Sequence, residues 1–157
     1  MSHGRNVNQM RRVRAKAIVF TAFLGALPAL AFAPSAEARS KAAQWLADRE
    51  IAEACESGRG SIDPSGVIER DLDGDGRDDL IISHEAISCE GEMARSLFCG
   101  MQVCSVKFYL RRGELLKPEL EMLGAGVEVG SGQVPAISMY AHGGARGSVR
   151  WSGNGFE

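Results

Sequence analysis

The spacing of apolar positions changes character near residue 60. Before it, Ala42, Trp45, Leu46, Arg49 and Ala52 fall at helical spacing, with Ile51 and Ala54 beside them. The pattern predicts a helix over residues 40–57, with Ser40 as N-cap and Gly58 as stop. Trp45 is the expected core anchor of that helix, and Cys55 lies on its last turn, where a bridge could staple it to the body. After residue 60 the signals are those of strands. A turn at Asp63-Pro64-Ser65-Gly66 precedes a short strand over 67–70, and another strand covers 80–84. Residues 85–101 read as irregular. Residues 103–110 alternate, with Val103, Ser105, Lys107 and Tyr109 on one face and Cys104, Val106, Phe108 and Leu110 on the other. A turn at Arg112-Gly113 leads to Glu114-Leu115-Leu116, which Pro118 limits to a short edge strand. Further strands are expected over 127–129, 135–140 and 148–151, with Phe156 closing a last hairpin. The fold class is therefore α+β: one N-terminal helix packed on a mainly antiparallel β domain. The segments 80–108 and 136–156 share a strand–strand–glycine-turn order, which reads as two blade-like β units. Two such units are too few for a propeller.

The first 38 residues carry a different pattern. Arg5, Arg11, Arg12, Arg14 and Lys16 precede an uncharged apolar run over 17–33. Small-residue cleavage signatures follow at Ala31-Phe32-Ala33 and Ala36-Glu37-Ala38. This is the layout of a secretory signal peptide, with cleavage expected after Ala38. A membrane anchor is the rival, but the run is interrupted by Pro28 and is short against the roughly 20 residues of a span. The expected organisation is a signal peptide over 1–38 and one small domain over 39–157, located in the periplasm or secreted.

Removing those residues changes the charge balance. Residues 39–157 hold 13 Lys and Arg against 19 Asp and Glu, a net charge of −6, and residues 71–79 account for −4 of it. The remainder is nearly balanced, which leaves no basic face for nucleic acid or anionic lipid. Four cysteines remain: Cys55, Cys89, Cys99 and Cys104. An even count behind a secretory signal reads as two disulfides. Three pairings are possible. The short spacer favours Cys99–Cys104, which leaves Cys55–Cys89. Four thiolates around zinc are the alternative, though the chain lacks paired Cys-x-x-Cys knuckles.

The densest chemistry is Asp71-Leu72-Asp73-Gly74-Asp75-Gly76-Arg77-Asp78-Asp79, followed by Leu80-Ile81-Ile82. Carboxylates occupy positions 1, 3, 5 and 9, with glycine at position 6. Oxygen donors at this density suit a hard cation, of which calcium is the usual one. The stretch resembles the calcium loop of FG-GAP/VCBS-type repeats, which lies between two strands of integrin-like propellers. The resemblance covers about 20 residues in a single copy. It implies that Asp71, Asp73 and Asp75 supply side-chain oxygens and that Arg77 supplies its backbone carbonyl with its side chain outward. It further implies that Asp79 completes the cage and that Gly76 permits the sharp turn. The bound Ca2+ would be structural. An EF-hand also begins Asp-x-Asp-x-Asp-Gly, but it requires an apolar residue at position 8 and Glu at position 12. Here those positions hold Asp78 and Ile82. A solvated acidic turn without an ion is the remaining reading. The whole of 39–157 is also similar to small secreted proteins of alphaproteobacteria, a likeness that implies no activity.

Other chemistry is sparse. His84-Glu85 offers an acid/base pair, and His142-Gly143-Gly144 mimics an oxyanion loop. No Gly-x-Ser-x-Gly elbow accompanies them, so both histidines read as polar residues at strand ends. Arg146 and Arg150 near Trp151 offer a place for an anion or carbohydrate, though cations beside an aromatic on a strand edge are common. The expectation is a calcium-binding structural or binding module of the cell envelope without catalytic residues, with an envelope protein or glycan as partner. The alternatives are an inhibitor of an envelope-directed enzyme and a small periplasmic hydrolase using His84 or His142.

Overall fold

The computed structural model describes residues 39–157. The expected signal peptide, its cleavage site and the anchor alternative lie outside the described residues. Within them, one α-helix, α1 (Lys41–Ala54), precedes eight strands. These are β1 (Gly60–Ile62), β2 (Val67–Arg70), β3 (Asp79–Ser83), β4 (Ile87–Cys89), β5 (Cys104–Arg112), β6 (Leu115–Val129), β7 (Ile137–Tyr140) and β8 (Arg146–Val149). Strands β1 and β4 form a two-stranded antiparallel sheet. The other six form one antiparallel sheet in the order β2-β3-β5-β6-β7-β8. The α+β class follows.

Ser40 caps the helix by accepting the Ala43 N–H at 3.2 Å, while its own N–H reaches Glu69 on β2 at 2.8 Å. The helix ends at Ala54, earlier than expected. Cys55 is already extended, drawn toward Cys89 by a disulfide. The buried stripe is Ala43, Leu46, Ala47, Glu50 and Ala54. Trp45 is no core anchor: it is 61% exposed, with the Arg49 guanidinium over its ring. The expected face was one position out of phase because the true stripe contains a charged residue, Glu50, which an apolar pattern passes over.

Two buried clusters account for the alternation in the strands. Val67, Leu80, Ile82 and Tyr109 share one with Ala43, Leu46 and Ala47 of α1. Leu72, Ile81, Val106, Phe108, Leu110, Ile137 and Met139 form the other, joined by Trp151 and Phe156 near the C-terminus. Strand β3 contributes Leu80 and Ile82 to one cluster and Ile81 to the other. It is buried along its whole length, with an apolar run at Leu80–Ile82 between the buried polar residues Asp79 and Ser83.

Strand β6 departs most from expectation. It is one 15-residue strand, not two short ones separated by Pro118. Pro118 is accommodated because residues 115–124 pair with β5 alone, and β7 joins only at residues 125–129. A missing N–H on an unpaired edge costs no ladder hydrogen bond. The register shift between Phe108 and Tyr109 sits beside this proline. Residues 87–89, expected to be irregular, form β4, and the last hairpin closes through a bridge between Trp151 and Phe156.

Candidate metal centre and buried polar cluster

Residues 71–78 connect β2 to β3, and the antiparallel pairing of the two strands brings Arg70 opposite Asp79. Leu72 is fully buried and pins the start of the loop into the core. Gly74 and Gly76 take φ of +82° and +83°, a region that L-residues with a Cβ rarely adopt. Around these pivots the carboxylates organise the backbone. Asp71 accepts the N–H groups of Gly74 (2.7 Å) and Gly76 (2.9 Å), and Asp73 accepts that of Asp75 at 3.1 Å. Asp79 is fully buried. One of its oxygens accepts the Leu72 N–H at 2.8 Å and the other the Arg111 N–H on β5 at 2.7 Å.

Asp71, Asp73 and Asp79 each bring one carboxylate oxygen to within 4.8 Å of the others. Asp75 stands apart. Its carboxylate is held by Arg77, whose guanidinium donates at 2.6 and 3.1 Å, and it does not enter this cluster. The Arg77 side chain folds back over the loop and also reaches the carbonyls of Gly113 and Arg111. The Arg77 side chain is exposed while it holds Asp75. Arg112 donates to Asp73 at 2.6 Å and lies 5.8 Å from the Trp151 ring.

The electrostatics follow from these contacts. The Arg77 hydrogen bond holds the Asp75 carboxyl below its ordinary range. Asp79 is pushed up, first by burial and further by the charges of Asp73 and Asp75, against the pull of its two backbone donors. Among the described residues neither Asp71 nor Asp79 has an ion-pair partner. With Asp73 offset by Arg112, the cluster is left with a formal charge near −2. The donors are all oxygen, and an ionised carboxylate has about four acceptor positions, more than the N–H groups here use. In donor type and charge the cluster fits a hard divalent cation.

A second polar cluster was not visible as a motif. Glu50, fully buried on α1, accepts from Tyr109 Oη at 2.5 Å and Lys107 Nζ at 2.7 Å, and it lies 3.0 Å from His84 Nε2. His84 Nδ1 is 3.1 Å from Ser96 Oγ, which also accepts the Phe98 N–H. The Phe98 ring meets His84 edge-on and lies 5.1 Å from Lys107 Nζ. Burial alone would raise the Glu50 pKa. The hydrogen bonds from His84, Lys107 and Tyr109 outweigh it and hold the carboxyl down at about 2. Burial and the Glu50 carboxylate together raise the Tyr109 phenol.

The His84–Glu85 pairing is thus replaced. His84 is fully buried against Glu50, while exposed Glu85 accepts the Gly126 N–H at 2.8 Å. His142 is exposed, and the Gly143 N–H is taken by the Gln102 side chain at 2.9 Å. Arg146 is bound to Glu128 and Tyr140. The signals that could have found the Glu50 cluster are the placement of Glu50 among Ala43, Leu46, Ala47 and Ala54, and of Lys107 and Tyr109 on one strand face.

Disulfides join Cys55 to Cys89 and Cys99 to Cys104, with no free cysteine among the described residues. No described helix is long and apolar enough to cross a membrane. No family model matches the chain, and no curated protein or solved structure matches it.

Proposed function

We propose that this protein is a non-enzymatic module of the cell envelope whose β2–β3 loop binds calcium as a structural ion. The observation that carries the reading is the convergence of Asp71, Asp73 and Asp79 within 4.8 Å. Asp73 and Asp79 would provide the sheltered oxygens and Asp71 the outer one. Asp75 and the Arg77 carbonyl, the other donors implied by the FG-GAP/VCBS resemblance, would join only after Arg77 releases Asp75. The ion would supply charge compensation where the loop, β3 and β5 meet, since Asp79 already ties all three. In the same reading α1 packs on the sheet, the two halves of the sheet are blade-like units meeting at β6, and residues 1–38 direct export. Two disulfides support an oxidising destination, the periplasm or beyond.

Enzyme chemistry has less support. A hydrolase built on His84 needs that ring to meet substrate, and its surroundings are sealed. An inhibitor of an envelope-directed enzyme remains compatible with a small disulfide-bonded domain. Calorimetric titration of the exported protein tests the main proposal. Calcium is expected to bind at one site per chain and more tightly than magnesium, and Asp73→Ala to abolish binding. Equal heats for wild type and Asp73→Ala would reject it.

A further inference from the structure

Residues 90–102 cross the surface between β4 and β5, and within that stretch only Ser96 is buried. Leu97, Phe98 and Met101 keep exposed apolar side chains. The stretch is nevertheless the cover of the Glu50 cluster, because Ser96 and Phe98 are what lie against His84. Its ends are tied down: Arg95 bridges to Ser88, the Ala94 carbonyl accepts the Cys89 N–H at 3.0 Å, and the Gln102 side chain accepts the Gly143 N–H at 2.9 Å. The Leu97 N–H reaches the Ala54 carbonyl at 2.8 Å, and the Ser105 N–H reaches the Phe98 carbonyl at 2.9 Å. Over His84 itself, residues 96–99 are held besides by the Ser96–His84 contact, the Lys107 ammonium over the Phe98 ring and the Cys99–Cys104 bridge. A segment with so little buried apolar surface opens locally at low cost once a covalent restraint is lost.

The two disulfides differ in their surroundings. Cys55–Cys89 spans 34 residues and lies in a cluster with Ala54 and Ile87. Cys99–Cys104 spans 5 residues; each bridge pairs a buried sulfur (Cys55, Cys104) with a half-buried one (Cys89, Cys99), so loop length and neighbours are what set them apart. Closing so short a loop restrains the unfolded chain least. The Arg95 guanidinium lies 3.7 Å from Cys104 Sγ, where it stabilises a thiolate. A thiol of lowered pKa is the faster leaving group in exchange.

We propose that Cys99–Cys104 is a thiol-exchange site for an external dithiol reductant, and that its opening uncovers the His84–Glu50 cluster. The attacking thiolate forms a bond to Cys99 Sγ, the S–S bond breaks, and Cys104 leaves as a thiolate beside Arg95. The second thiol of the reductant, deprotonated, then attacks its own sulfur in the mixed disulfide and releases Cys99 as a thiolate. Two electrons pass to the protein, the reductant becomes a disulfide, and its two protons are available to the two cysteines. The proposal is independent of calcium.

The test is a graded dithiothreitol titration of the native chain without denaturant, quenched with iodoacetamide and read by peptide mapping. Cys99 and Cys104 are expected to be alkylated at about tenfold lower reductant than Cys55 and Cys89. In that partly reduced state diethylpyrocarbonate should modify His84, which the oxidised chain protects, with exposed His142 as the internal control. Arg95→Gln should slow opening of the first bridge several-fold and leave Cys55–Cys89 unchanged. Simultaneous reduction of both bridges would overturn the proposal. So would protection of His84 after Cys99 and Cys104 are alkylated, or an Arg95→Gln chain reduced at the wild-type rate.

Discussion

Asp79 and Glu50 are both fully buried carboxylates, yet their acidities move in opposite directions. Burial penalises both charges. Glu50 meets three side-chain donors, one of them the Lys107 ammonium, and they overcome the penalty. Asp79 has two backbone N–H donors and two neighbouring aspartates, and the penalty prevails. The side-chain hydrogen-bond donors that meet the carboxylate decide the outcome more than depth does, and the neighbouring charges add to it. The Glu50 cluster is therefore complete, with its charge matched inside the protein. The Asp71–Asp73–Asp79 cluster keeps uncompensated negative charge, and the proposed cation site rests on that surplus.

The largest expected effect comes from breaking the complete cluster. Glu50→Ala leaves Lys107 and Tyr109 without their buried acceptor and removes a contact of His84. A loss of about 3–5 kcal/mol is expected, read as a lower midpoint in urea unfolding. A loss below about 1 kcal/mol would mean that the network adds little and that the contrast with Asp79 is one of geometry only.

The second effect is pH dependence. The Glu50 carboxyl is lowered from 4.5 to about 2 on folding, so the unfolded chain binds the proton more tightly. The stabilisation is complete above about pH 4.5 and is lost as pH falls toward 2, for a total of about 3 kcal/mol. The groups facing Glu50 are His84, Lys107 and Tyr109. Unfolding midpoints of wild type and Glu50→Gln between pH 6 and pH 2 should differ by this curvature. Parallel profiles would assign the acid sensitivity elsewhere.

The smallest effect belongs to the exposed pair. Asp75→Asn weakens a solvent-facing contact with Arg77 and should leave the urea midpoint nearly unchanged without calcium. Its use lies in the calcium titration. A several-fold loss of affinity would show that Asp75 leaves Arg77 to join the ion, whereas unchanged affinity would restrict the ligands to Asp71, Asp73 and Asp79.

The two clusters also mark how far the sequence could be read. The aspartate loop is contiguous, so spacing alone located it and the strands on either side. Its internal partners were harder to see, because Arg112 and Arg111 arrive from another hairpin. The Glu50 cluster draws on residues 50, 84, 96, 107 and 109. No spacing rule connects those positions, and Glu50 itself disguised the buried helix face and left Trp45 as the apparent anchor. The long β6 was hidden by Pro118, whose harmlessness depends on which edge of the strand is paired. Local chemistry was legible. Chemistry assembled by tertiary contact required the fold.

The central claim is that the Asp71–Asp73–Asp79 cluster is completed by calcium and that the ion supports the fold. Thermal melting of the purified protein in calcium, in magnesium and in chelator tests it most directly, with Asp73→Ala in parallel. Binding confined to the native state adds about 2.7 kcal/mol at 100 times the dissociation constant. For a domain of this size that raises the melting temperature by on the order of 10 °C. The predicted result is such a rise in calcium, less in magnesium, and none in Asp73→Ala. Superimposable wild-type melts in calcium and chelator would contradict the account and leave the loop as an acidic turn held by Arg77 and Arg112.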